Sequence, residues 1–230
     1  MQFTTILMDA DDTIFDFPQC EYNALKATVE KNGLRFTDKV HEHFSEINNA
    51  LWKKFEIGAI ARSDLKIRRF RELLTVCFDG MGDCERLADT YVDELAQQAI
   101  LIDGAYGALE KITAVCEVYI ITNGLSKVQR GRFGKSPVTK LVKGLFISDE
   151  MGVQKPSKAY FDRVLSEIPE KNISEIIVVG DSLTSDMQGG RNAGLTTCVY
   201  DPKHKITMPH ELCDFRITRL EDVLTIGDRT

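Results

Sequence analysis

Short apolar runs recur through the C-terminal two-thirds of the chain: Glu117–Thr122, Gly144–Ser148, Ile176–Gly180, Thr196–Tyr200 and Phe215–Thr218. They are rich in β-branched residues and nearly continuous in apolar character, which predicts parallel strands covered on both faces. An earlier run, Ile6-Leu7-Met8, stands apart near the N-terminus. Between the later runs apolar residues fall at helical spacing over Ala105–Ala114 and Lys158–Glu167, and a shorter helix follows Ser185 and closes near Gly194. Ser157 reads as the cap of the helix after Lys155-Pro156. Strand alternating with helix predicts an α/β fold, a parallel sheet with right-handed crossovers.

Residues from Pro18 to Gln98 break this rhythm. They hold four amphipathic patterns, Glu21–Lys31, Asp38–Phe55, Asp64–Leu74 and Glu85–Gln97, and no convincing strand. Thr37 and Ser63 read as N-caps, while Gly33, Gly58 and Asp79-Gly80-Met81-Gly82-Asp83 punctuate the helices. The block is too long for a crossover. It predicts an α-helical cap domain over residues 17–98, inserted into a core made of residues 1–16 and 99–230. An insertion there sits over the carboxyl ends of the strands, where open α/β sheets bind ligands.

Those strand ends carry the chemistry. The first run empties into Asp9-Ala10-Asp11-Asp12-Thr13, two carboxylates two residues apart. Thr122-Asn123, Lys155-Pro156 and Gly180-Asp181, with Asp186 five residues on, supply further pieces in order. Asp9 is the candidate nucleophile toward phosphorus. Such an attack on a phosphate dianion needs a divalent cation and a fixed positive group. Asp181 would join Asp9 in holding Mg²⁺, with Asp186 behind them or bound through water. Lys155 would face the phosphoryl oxygens, and Thr122-Asn123 would offer a hydroxyl and backbone N–H groups. Asp11 would be the general acid and then the base for water, its pKa raised by crowding among carboxylates. Asp12 and Asp16 read as solvated or capping residues.

Composition narrows the class. The 230 residues are 43% hydrophobic and 28% charged, ordinary for a soluble globular protein. A formal charge of −6 argues against a nucleic-acid polymer as partner. No apolar stretch reaches the length of a membrane span, and Met1-Gln2-Phe3-Thr4 shows no signal segment, so a cytoplasmic location is expected. The six scattered cysteines are expected as reduced, mostly buried thiols. His41-x-His43 lacks ligand spacing and reads as a surface pair. The basic run Lys66–Arg71 reads mainly as a solvated face from which one or two members could reach a phosphate or base, and Trp52 and Phe55 as packing.

The motif set resembles the four motifs of the haloacid dehalogenase superfamily, most of whose members are phosphatases. Asp9 and Asp11 match the first, Thr122 the second, Lys155 the third, and Asp181 with Asp186 the fourth. The resemblance implies a Rossmann-like core with a C1-type helical cap. It also implies Mg²⁺ held by the side chains of Asp9 and Asp181 and the main-chain carbonyl of Asp11. Within the superfamily, Asp9–Phe17 is similar to a bacterial branch of pyrimidine 5′-nucleotidases. Likeness continues through Gly58-Ala59-Ile60, Arg69-Phe70, Thr122-Asn123-Gly124 with Gln129 and Arg132, and Ile147–Pro156. One stretch departs from it: Gly131–Thr139, a Gly/Ser/Pro-containing segment, stands where a helix-to-strand pattern is expected.

The expected function is therefore a Mg²⁺-dependent phosphomonoesterase acting on a nucleotide, with Arg69 and Phe70 as candidate substrate-reading residues of the cap. A sugar phosphate or other small phosphorylated metabolite is the alternative, since the cap and not the fold decides the leaving group. A non-catalytic binding protein of the same fold is a third reading. A monomer or weak homodimer is expected.

Overall fold

The computed structural model describes residues 3–170 and 172–226; Met1, Gln2 and the last four positions of the expected core fall outside the described residues. Strand β1 (Thr5–Met8) is followed by four helices, α1 (Phe17–Lys31), α2 (Asp38–Glu56), α3 (Arg62–Cys77) and α4 (Cys84–Leu95). The chain then alternates: α5 (Ala105–Thr113), β2 (Glu117–Thr122), α6 (Ser126–Lys135), β3 (Gly144–Ile147), the single turn α7 (Ser148–Met151) and α8 (Lys158–Glu167). It ends with β4 (Ile176–Gly180), α9 (Gln188–Asn192), β5 (Thr196–Tyr200) and β6 (Phe215–Ile217). All strand pairs are parallel, in the order β3-β2-β1-β4-β5-β6.

Alternate residues of the strands feed two buried layers, as a period of two requires. Ile6, Met8, Ile120 and Val179 face Leu109 and Ile112 of α5 and Phe133 of α6. Leu7, Ile121 and Val178 face Tyr160, Phe161 and Val164 of α8. The strands therefore show no polar alternation, because neither face meets water. This strand order places a topological switch at β1: the chain proceeds outward through β2 and β3, then returns to β4 on the other side. Ligands of open α/β sheets bind at the carboxyl end of such a switch.

The four helices between β1 and α5 bury a cluster of their own, including Leu25, Phe44, Phe70, Leu73, Tyr91 and Leu95, to which Val128 of α6 is added. Several expected boundaries move. Helix α1 begins at Phe17, not Glu21, because Asp16 caps it, its side chain accepting from Gln19 N–H at 3.1 Å. Thr37 does cap α2, accepting from Val40 N–H at 3.3 Å. Ser63 does not cap α3: the cap position is Ala61, with no side-chain bond, and Ser157 holds the cap position of α8 without making one. Exposed Asp12 adopts a left-handed φ of 58°. All six cysteines are free, four of them buried. His41 is not a plain surface residue; it lies half-buried, 3.7 Å from Glu21. No helix among the described residues is long and apolar enough to cross a membrane.

The supposed departure at Gly131–Thr139 is a helix after all. Helix α6 runs through Gly131 and Gly134, and a short turn at Pro137–Lys140 leads into β3. Gly131 is required by a close approach: a Cβ there would lie 2.6 Å from the main-chain oxygen of Ala96 and 2.8 Å from its Cβ. Gly131→Ala should accordingly destabilise by about 1–3 kcal/mol through overpacking, although alanine is the better helix former. For a chain of this size that lowers the melting temperature by about 2–4 °C per kcal/mol. Calorimetric melting checks it; an unchanged or raised midpoint would show that α4 and α6 have slack at this contact.

Candidate active site

Three strand ends and one loop converge at the switch. Register sets Met8 opposite Ile120 and Val179, so the next residue, Asp9, stands between β2 and β4, its N–H bonded to Val179 O at 2.9 Å. Thr122 closes β2, Asp181 follows β4, and Lys155 comes in from the loop before α8. Together with Asp11, Asp12 and Asn123 they line a cavity of about 410 Å³, within the ~300–1,000 Å³ of small-ligand sites.

Lys155 is buried, and its ammonium has three acceptors for three protons: Asp9 Oδ1 at 2.5 Å, Asp186 Oδ1 at 2.7 Å and Ile121 O at 3.0 Å. Burial works against this charge, but Asp186 and Asp9 hold the lysine above its usual pKa. The amide of Asn123 clasps the same loop, donating to Lys155 O at 2.9 Å and accepting from Lys155 N–H at 3.0 Å. Its side chain is thus committed to the loop, leaving its main-chain N–H for a ligand. The Thr122 hydroxyl accepts from Gly124 N–H at 3.0 Å, which leaves its own proton to donate.

Asp186 lies in a widened helical turn, Leu183–Met187, and its other oxygen accepts from Ser182 N–H at 3.2 Å. Gly180 permits this, since a Cβ there would meet Asp186 Oδ2 at 2.3 Å. Oxygens of Asp9, Asp181 and Asp186 all lie within 4.8 Å of one another. Burial pushes the Asp9 carboxyl up to about 8, Lys155 opposing this and Asp186 and Asp11 adding to it. Asp181 is also pushed well above the carboxylate range, by burial and then by Asp9 and Asp186. Three acids facing one ammonium leave an excess of negative charge, and an all-oxygen donor set fits a hard divalent cation.

Asp11 lines the cavity but its carboxyl stands outside that cluster. Its oxygens accept from Arg132 Nη1 and, at 2.8 Å, from Gln129 Nε2. The expected crowding by carboxylates is thus corrected, because α6 meets Asp11 with a guanidinium and an amide. Arg132 is fully buried, donates to Gln98 O at 3.0 Å and stacks 4.3 Å from the Phe15 ring centre. Gly124 leaves room for Gln129, whose Nε2 would be 2.3 Å from a Cβ there.

Arg69 and Phe70 do not line the cavity. Helix α3 turns both inward: Arg69 bonds Asn48 Oδ1 at 3.3 Å and stacks 4.5 Å from the Tyr91 ring centre, and Phe70 packs on Phe44. The roof is instead made by Asn49, Trp52, Lys53 and Glu56 of α2, with Phe17 of α1. Trp52 had read as packing; its three- and four-residue spacing from these polar neighbours was the available signal. Roof and floor are joined by Arg62, which donates to Asn123 O at 2.8 Å and Ser148 Oγ at 2.7 Å. Gln154 Nε2 to Phe55 O at 2.9 Å and Thr184 Oγ1 to Glu56 at 2.7 Å complete the junction.

The family described as haloacid dehalogenase-like hydrolase matches residues 6–200. The chain belongs to that family. Among relatives of this hydrolase, the HAD-hydrolase YfnB of Bacillus subtilis is 34% identical over 98% of the chain and 95% of YfnB. The magnesium-bound YfnB crystal structure, which reveals interdomain movement, superposes with a TM-score of 0.91 over 98% of this chain and 99% of that one. Pyrimidine 5′-nucleotidase PynA of Streptococcus pneumoniae is 30% identical over the whole chain and 97% of its own length. Pyrimidine 5′-nucleotidase YjjG of Escherichia coli is 31% identical over 89% of each.

The acid cluster predicts coupled pH and ion dependence. An unfolded chain releases the Asp9 proton near 3.8 and the folded one near about 8. Protonation therefore favours the ion-free folded state fully below the lower value, and that gain is lost as pH climbs through the higher one. Protein stripped with a chelator should melt lower at about pH 9 than at about pH 6. Mg²⁺ at one fixed concentration, about 100 times its dissociation constant at the higher pH, should add about 2.7 kcal/mol there and less at the lower pH, where a proton must be displaced. Melting curves at both pH values, with and without Mg²⁺, check this; an ion effect that shrinks as pH rises would place the ion elsewhere.

Proposed function

We propose that this hydrolase is a Mg²⁺-dependent phosphomonoesterase working through an aspartyl-phosphate on Asp9, with pyrimidine nucleoside 5′-monophosphates as substrates. The observation that carries the chemistry is Asp9 held 2.5 Å from the buried ammonium of Lys155, beside Asp181 and Asp186, on the floor of a ligand-sized cavity. The substrate class is supported by PynA and YjjG, both pyrimidine 5′-nucleotidases related over nearly their full lengths.

In this reading Asp9 attacks phosphorus, the ester oxygen departs, and Asp11 gives it a proton. The deprotonated Asp11 then takes a proton from water as that water attacks the phosphoryl group, and orthophosphate and free Asp9 result. Asp11 must yield one oxygen for this. The neutral amide of Gln129 is the weaker of its two anchors, so Oδ2 is the oxygen released. Lys155, its protons already engaged, acts by fixed charge and by aligning Asp9. The Thr122 hydroxyl donates to a phosphoryl oxygen. Mg²⁺, when bound by Asp9, Asp181 and the main chain of Asp11 with Asp186 in support, neutralises charge between nucleophile and phosphoryl oxygens. Residues 17–98 serve as a cap over this floor, turning on Phe15–Pro18 and Gln98–Gly104, with the Arg62 contacts as its latch.

Phosphate release with Mg²⁺ across nucleoside monophosphates and sugar phosphates tests the proposal, with Asp9→Asn as the blank. Pyrimidine nucleotides such as dUMP or dTMP should lead the panel, and Asp9→Asn should lose at least about a thousandfold in kcat while staying folded. Residual turnover within a few-fold of wild type would sink the mechanism; preference for sugar phosphates would keep it and discard the substrate. A phosphate analogue with Mg²⁺ should protect both hinges from limited proteolysis, and equal cleavage with and without it would count against a moving cap.

A further inference from the structure

Opposite the carboxylates, one stripe of α2 roofs the cavity. Asn49, Trp52, Lys53 and Glu56 lie three and four residues apart, on one helix face. The adjoining face, Asn48, Leu51 and Phe55, is buried. Trp52 stands on the boundary. It packs edge-on against Phe55, ring centres 5.5 Å apart at 86°, yet is only half-buried and lines the cavity.

A tryptophan serving the core alone is normally enclosed, with its indole N–H bonded. Among the described residues the side chains of Trp52, Asn49 and Lys53 make no hydrogen bond or ion pair, whereas Glu56 on the same stripe is held by Thr184. An aromatic ring, an amide and an ammonium thus converge on the cavity with no hydrogen-bonding or ionic partner. The floor accounts for the phosphoryl group; this roof faces whatever that group is attached to.

We propose that Trp52 is the stacking platform for a planar base in the leaving group, and that the Asn49 amide reads the polar edge of that base. The assignment rests on the phosphomonoesterase reading and refines it, since it makes the leaving group a nucleoside and locates the residues that select it. Stacking on an aromatic ring tolerates any base, so Trp52 sets the class of leaving group. An amide offers a donor and an acceptor together, which the edge of a pyrimidine can match, so Asn49 sets the choice within that class.

Trp52 is the one tryptophan of the chain, so its emission reports on this roof alone. In Asp9→Asn protein with Mg²⁺, dUMP should quench that emission saturably. Ribose 5-phosphate, which carries the phosphate without a base, should not. Trp52→Leu should lower kcat/KM for dUMP about tenfold more than for ribose 5-phosphate, mainly through KM, and Trp52→Phe should recover most of the difference. Turnover of dUMP with no quenching and an unchanged dUMP to ribose 5-phosphate ratio in Trp52→Leu would overturn the platform and leave the nucleotidase reading standing. Turnover of ribose 5-phosphate and none of dUMP would overturn both. Quenching by dUMP without turnover of any ester would retain the platform and overturn the catalytic reading.

Discussion

The buried ammonium of Lys155 is the contact on which the site depends. It binds Asp9, just after β1, to Asp186, in the turn beyond β4, and to the end of β2 through Ile121 O. Each of these elements ends in groups that would be costly to bury alone: two carboxylates and an open strand carbonyl. One cation with three donors satisfies all three together. Removing it would leave charges of like sign a few ångströms apart in a dry crevice, and removing either acid would leave the ammonium without full compensation. The charges still do not balance, because Asp181 adds a third carboxylate. That residual negative charge gives the site an intrinsic demand for a divalent cation, independent of any substrate.

Sheet order converts this local balance into a working geometry. Because the chain runs outward through β3 before returning to β4, the two acids that share Lys155, Asp9 after β1 and Asp186 in the turn beyond β4, follow strands adjacent in space and remote in sequence. Glycines then remove the remaining steric obstacles. Gly180 lets Asp186 close on the cluster, and Gly124 lets Gln129 reach Asp11. The acid–base candidate is held differently from the nucleophile candidate: Asp9 by an ammonium within the sheet, Asp11 by α6 and through Arg132 by the chain returning at Gln98. Two carboxylates two residues apart are thereby given separate environments, a condition for separate roles.

Much of this was legible in the residues, for physical reasons. Strands buried on both faces announce themselves as unbroken apolar runs, and β2, β4 and β5 fall where those runs lie. Polar residues that end such runs must sit at the sheet's mouth, which made Asp9, Thr122 and Asp181 visible. What failed to show depends on docking between distant segments. The partners of Asp11 lie 118 and 121 residues away, and nothing local marks Gln129 or Arg132 as facing it. Arg69 belongs to a basic run that looks solvated, yet the tilt of α3 buries it among Tyr91, Phe44 and Phe70. Gly131 resembled a loop residue because glycine usually weakens helices; only the approach of Ala96 explains its presence in one. Helix α1 starts a turn earlier than expected because Asp16 caps it and Pro18 is tolerated in a first turn.

Trp52 shows where periodicity stops being informative. Its spacing places it on a helix face, but that face lies at the edge of the buried stripe, and only the docking of α2 decides whether an edge residue meets protein, solvent or cavity. The floor and the roof are accordingly under different constraints. Lys155, Asp9, Asp186 and Asp11 of the floor are each bonded to another structural element, so a change at any of them disturbs the fold as well as the chemistry. Asn49, Lys53 and the indole N–H of Trp52 have no such partners among the described residues. Substitution at these positions can alter what the cavity accepts while leaving Asp9 and Lys155 where they are. The roof side chains without hydrogen-bonding partners are thus set apart from the groups that hold the floor together, and a change in the one need not disturb the other.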